Sequence, residues 1–189
     1  MKKILIIFPV LLLLSGCGIL STEPYIKTYF FDIGSPAARI NAANFKVDNI
    51  TFSTASMYRQ KMVFRIAPST VLFDEYNRWS MSPDALIRRS FVMAVADNTS
   101  GYQDDKIPHY SIEGQIMMLE ADIPGKSVSL ALLVSLYDTR KSRKLVWTHL
   151  FVQKKPVQKI TGQSFAKAVR ELVDNIINEV DVLIEKNIK

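Results

Sequence analysis

Few side chains in this sequence are placed to offer a nucleophile, an acid–base group or a metal ligand. Cys17 is the only cysteine in the chain, so its thiol has no internal disulfide partner and no thiolate metal cluster to join. The two histidines, His109 and His149, fall at or within predicted strands, and neither has a second metal-type ligand at useful spacing. Asp104 and Asp105 are adjacent, but neighbouring acids in a loop read as solvated side chains rather than an acid–base pair. No nucleophile elbow, phosphate loop or dinucleotide fingerprint occurs. The chain therefore points to no cofactor and no metal, and an envelope enzyme is the least supported class. The densest charge is the basic run Arg140, Lys141, Arg143 and Lys144. It reads first as a solvated turn and second as a patch for phosphate headgroups or an acidic partner, to which Lys154 and Lys155 could add.

The surroundings of Cys17 give its thiol a different use. Lys2 and Lys3 precede the apolar run Ile4–Leu14, eleven residues interrupted by Pro9. Spanning a bilayer core takes about 20 apolar residues, so this run has the length of a signal-peptide segment and not of a membrane helix. Leu14, Ser15, Gly16 and Cys17 follow, an aliphatic residue, two small residues and a cysteine. The stretch resembles the lipobox of bacterial lipoproteins. That resemblance implies cleavage before Cys17, diacylglycerol on its thiol and acylation of the new amine, enough for stable membrane anchoring. It also gives Gly18 a role. In enteric-type sorting an aspartate at that position retains a lipoprotein in the inner membrane, so Gly18 implies the outer membrane, periplasmic face.

The expected organisation is a signal peptide over 1–16, a lipidated tether over 17–23 and one domain over 24–189. Losing Lys2 and Lys3 leaves 22 basic against 18 acidic residues, a charge of +4. That is weak for nucleic acid, which is not expected as a partner, and compatible with an anionic lipid surface.

The elements that must carry the domain show in the hydrophobic spacing. Strands are predicted over Tyr25–Ile33, Phe45–Phe52, Lys61–Ile66 and Val71–Tyr76. In the second, Phe45, Val47 and Ile50 are read as inward. A helix starts at Ser82 and Pro83, with Met81 and Leu86 placed for a hydrophobic staple and Asp84 in the first turn. Leu86, Ile87, Ser90, Phe91, Ala94 and Val95 share one of its faces. Three longer strands follow, Tyr110–Ala121, a second faced by Val128, Leu130, Leu132, Val134 and Leu136, and Leu145–Val152. Short turns between them predict an antiparallel meander. A last helix over Gly162–Lys186 carries the stripe Phe165, Val169, Leu172, Val173, Ile176, Val180 and Leu183. The fold class is α+β, a mainly antiparallel sheet with both helices packed on one face.

The segment Val71–Pro83 ends in Tyr76-Asn77-Arg78-Trp79 before a proline-started helix. With Tyr29–Pro36 and Met57–Arg65, it resembles the ABC-type transport auxiliary lipoprotein family, which includes the paraquat-inducible protein C type. Ser80 and Met81 depart from that family's pattern, where acidic and small residues are more common. The resemblance implies a non-catalytic lipoprotein working with an MCE-domain protein and inner-membrane transporter components in lipid movement across the envelope. Tyr76, Arg78 and Trp79 are then candidates for a partner-binding or structural motif. A tunnel of MCE rings further implies a ring-shaped homo-oligomer, to which the long connection Asp97–Pro108 could contribute, while the chain itself leaves a monomer equally open. The residues themselves leave a stand-alone periplasmic lipid- or glycan-binding module open.

Overall fold

The computed structural model describes residues 26–55, 58–96 and 107–188. Nine elements follow in order: β1 Tyr29–Phe31, β2 Lys46–Thr54, β3 Lys61–Ala67, β4 Thr70–Trp79, α1 Pro83–Ala96, β5 His109–Asp122, β6 Ser127–Asp138, β7 Lys144–Pro156 and α2 Gly162–Asn187. The meander β5–β6–β7 is present as expected, each antiparallel pair in register over nearly its whole length. Val128, Leu130, Leu132, Val134 and Leu136 are completely buried along one face of β6.

The sheet has seven strands and is mixed. Its two longest pairings, β5–β6 and β6–β7, are antiparallel, as is β3–β4, but β1–β4, β2–β5 and β3–β5 are parallel. One edge of β5 is shared end to end. Its first part pairs with β2, and its last residues, Ala121 and Asp122, pair with Phe64 and Arg65 of β3. The Arg65 guanidinium makes a two-bond pair with Glu120, at 2.7 Å each, and closes this junction.

Both helices cover the same sheet face. Phe52 of β2 and Phe64 of β3 share that face with the buried residues of β6, through their partners Gly114 and Ala121. Phe52 packs on Phe91 of α1 at 4.8 Å between ring centroids, and Phe64 on Phe165 of α2 at 5.7 Å. Every residue of the expected α1 face is buried, and so is the α2 stripe apart from half-buried Leu183. The α2 start is set by a reciprocal cap between Thr161 and Ser164, and the first helical bond of α1 runs from the Leu86 amide to the Ser82 carbonyl.

Two expectations need correction. The first strand is three residues long, not nine, because β4 offers it only Asn77, Arg78 and Trp79 as partners. The fourth strand continues to Trp79, past the expected end at Tyr76. The inward residues around β2 are the expected Phe45, Val47 and Ile50, and the skip from Val47 to Ile50 arises because Asp48 is an extra residue between the pairs Val47–Tyr110 and Asn49–Ser111, a bulge that shifts side-chain alternation by one. A further feature, unassigned in the sequence, is an irregular strap from Ile33 to Phe45. Ile33, Ala38, Ile40, Ala42 and Phe45 are buried along it. Its amides are held by acids of α2: Ala37 and Ala38 donate to Asp174, and Asn41 donates to Asp181 at 2.7 Å. On its other side the Ile40 amide donates to the Ala94 carbonyl of α1.

Candidate functional site

The segment Tyr76–Trp79 sits where β4 is distorted. Lys61 of β3 pairs with Arg78, but Val63, two residues on, pairs with Phe73, five residues back. The excess length of β4 bows outward over Asp74–Asn77. Asp74 holds the bow. Its Oδ1 accepts the amides of Tyr76 at 2.7 Å and Asn77 at 3.0 Å, and its Oδ2 accepts the Asn77 side chain at 2.6 Å. Burial alone would raise the Asp74 pKa, but these three bonds bring it below the ordinary value.

The bow sorts the four motif residues. Trp79 is 1% exposed and packs edge-on against Phe165 at 5.1 Å. Arg78 folds back onto Glu75, which is also paired with Lys61. Asn77 is spent on Asp74. Tyr76 is thrown outward and is 47% exposed, near Tyr29 at 50% and Phe30 at 61% on the adjoining strand. Trp79 is thus a core residue, and Tyr76 is the most exposed of the four.

Next to this motif Asp32 joins three elements. Its carboxylate accepts from both Arg89 guanidinium nitrogens, from Ser80 Oγ at 2.7 Å and from the Gly34 amide at 2.6 Å. The Arg89 bonds do most to lower its pKa to about 2, with Ser80 and Gly34 adding to them against the opposing effect of burial. Ser80, where the sequence departs from the family pattern, therefore has a partner. The sequence reading missed Asp32. Its signal was an acid between an aromatic strand and Gly34-Ser35-Pro36, the setting of an aspartate that binds an amide two residues on.

Cys17, Gly18, Asp104, Asp105 and the connection from Asp97 to Lys106 lie outside the described residues. The basic run forms the β6–β7 turn. Arg143 pairs with Glu113 and stacks on the Tyr137 ring at 4.8 Å, and Lys141 faces Asp138 at 3.4 Å. Arg140 donates to the Ile107 carbonyl at 2.7 Å, while Lys144 is exposed at the start of β7. Lys154 and Lys155 do not join this patch, since an extended strand carries Lys154 about 34 Å from Lys144 at ~3.4 Å per residue. His109 bonds the bulge residue Asp48 at 2.9 Å, which also accepts from Thr139 at 2.7 Å. Burial works against ionisation of Asp48, yet these bonds leave its pKa lowered. His149 is exposed and lies edge-on to Phe151. Among the described residues no group of three or more His, Cys, Asp or Glu could hold a metal, and no helix is long and apolar enough to cross a membrane.

The fold is a mixed sheet with two helices on one face, an outward bow at Tyr76 and a tryptophan plugged into the core. Residues 34–181 match the family model of the ABC-type transport auxiliary lipoprotein component. The chain belongs to that family, whose description is that of an auxiliary component. Two solved structures share the fold. One is a Xanthomonas campestris protein assigned to DUF330, 14% identical, covering 81% of this chain and 92% of its own, with a TM-score of 0.65. The other, described as an uncharacterized protein, is 11% identical, covers 84% of this chain and 99% of its own, and has a TM-score of 0.65. No curated protein matches at a significant level.

Proposed function

We propose that this protein is the lipid-anchored, non-catalytic subunit of an envelope lipid transport system, working with an MCE-domain protein and an inner-membrane ABC-type transporter. The observation that carries the reading is the family match over 34–181, joined to the lipobox-like sequence before Cys17. Residues 1–16 serve as signal peptide, 17–23 as tether and the rest as the periplasmic domain. Gly18 directs the protein to the outer membrane, where it faces the periplasm and receives the end of the MCE assembly. Tyr76, with its ring in solvent, is the motif residue available to that partner. The Arg140–Lys144 turn supports a lesser contact, because Arg143 and Lys141 already have carboxylate partners.

The test is co-purification of the full-length protein with the MCE-domain protein of the same organism, after membrane fractionation of wild type and Gly18→Asp. Wild type is expected in the outer membrane and in complex, with Gly18→Asp shifted to the inner membrane. Inner-membrane wild type contradicts the sorting assignment, and a failure to bind the MCE-domain protein contradicts the transport role.

A further inference from the structure

One end of the sheet carries aliphatic side chains on the outside of its turns. Ile66, Val71 and Leu72 flank the β3–β4 turn and Ile123 lies in the β5–β6 turn, 45, 38, 53 and 45% exposed. The two turns are neighbours, since the Ile123 amide donates to the Arg65 carbonyl at 2.9 Å. None of these four side chains belongs to the core. Cations lie beside them, toward the β7 edge of the sheet. Lys126 is in the β5–β6 turn, and its carbonyl accepts the amide of Val157, which puts exposed Lys159 and Lys154 at the same end. Among the described residues none of these three lysines is paired with a carboxylate, whereas Lys155 is held by Glu171. The carboxylate of Asp122 is turned back onto the Gly125 amide at 3.0 Å.

The N-terminal chain arrives from this end. β1 runs parallel to β4 with Tyr29 opposite Asn77, and β4 begins at the β3–β4 turn, so the chain enters β1 from that side. Seven residues of β4 separate Asn77 from Thr70, about 23 Å. Nine residues separate Cys17 from Ile26, a reach of up to about 30 Å.

We propose that this end of the sheet docks on the bilayer to which Cys17 is anchored. Ile66, Val71, Leu72 and Ile123 enter the boundary between headgroups and acyl chains, and Lys126, Lys154 and Lys159 meet anionic phosphates. The inference rests on the lipid-anchor reading of Cys17. It fixes an orientation: the sheet stands on the membrane, and the Arg140–Lys144 turn is held at the far end.

The chain's single cysteine gives a direct test. Full-length Leu72→Cys and Val182→Cys, extracted from membranes, are labelled with a thiol-reactive NBD probe and placed in vesicles of phosphatidylethanolamine and phosphatidylglycerol at three to one. Val182 is 63% exposed on α2, about 30 Å along the helix from Gly162. The probe at position 72 is expected to blue-shift, brighten and be quenched by nitroxide on the lipid acyl chains, and the probe at 182 to do none of these. Ile123→Cys, on the neighbouring turn, should repeat the result at 72 and does not depend on β4 tolerating a substitution. Wild type is the blank. If it takes no probe and positions 72 and 123 still report water, docking is overturned and the anchor stands. If wild type takes the probe, its Cys17 thiol is free, and the anchor and the docking fall together.

Discussion

The carboxylate of Asp32, at the end of β1, lies against the guanidinium of Arg89 on α1 and fastens the N-terminal strand to the helical layer. Its folded pKa, about 2, is depressed below the ordinary 3.8. A depressed acid contributes stability above its unfolded pKa and loses it as pH falls through the folded one. The contribution should therefore be present at pH 5 and fade between about pH 4 and 2. Both side chains are about a third exposed, so after solvent screening the bond is worth roughly 0.5–1 kcal/mol. Urea unfolding of Asp32→Asn across that range should show a flatter pH dependence than wild type. An unchanged slope would mean that Asp32 does not couple to folding.

Gly114 and Phe52 are cross-strand partners, and a Cβ added at Gly114 would run into the Phe52 ring. That ring is held from above by Phe91 and has little room to move. Gly114→Ala should destabilise by about 1–3 kcal/mol through overpacking, despite the better strand preference of alanine. Thermal unfolding checks this, and a neutral effect would show that the β2–β5 pairing yields.

Trp79 and Tyr76 separate the structural and surface halves of one motif. Trp79→Ala empties a core site against Phe165 and should cost about 3–5 kcal/mol. Tyr76→Ala should stay within about 0.5 kcal/mol in stability, as a solvent-facing residue. If Tyr76 meets the MCE-domain partner, its substitution weakens co-purification while leaving the unfolding curve in place.

These residues also show what the sequence could and could not reveal. The α1 and α2 faces and the meander were readable because each is a local periodicity that one layer of core enforces. Trp79 was recognisable as a motif, but its burial depends on Phe165, 86 residues later in the chain. The parallel pairings of β2 and β3 with β5 leave no local mark, since what pairs is decided across the molecule. The bow at Tyr76 depends on Asp74 choosing nearby amides over the sheet, a choice short polar residues make in turns as readily as in strands. The strap held by Asp174 and Asp181 did leave a signal in the alternation of Ala38, Ile40 and Ala42, but its amides bond to carboxylates of α2 and to the Ala94 carbonyl of α1 instead of a neighbouring strand.

A homo-oligomeric ring is the expectation that reaches beyond one subunit. Among the described residues every core residue lies between Ile33 and Ile184, so a domain from residue 24 onward retains that core. Light scattering of that domain over a concentration series should show growth above one subunit mass. A mass that stays at one subunit at high micromolar concentration contradicts a ring formed by the domain alone.

Whether a lipid on Cys17 holds this domain at a membrane is decided by the mass of its N-terminal peptide. In protein extracted from the envelope, the chain should begin at Cys17, with diacylglycerol on the thiol and a further acyl chain on the amine, and Cys17→Ala should lack both. An N-terminal peptide that retains residues 1–16, or that begins at Cys17 with an unmodified thiol, would contradict the lipid anchor.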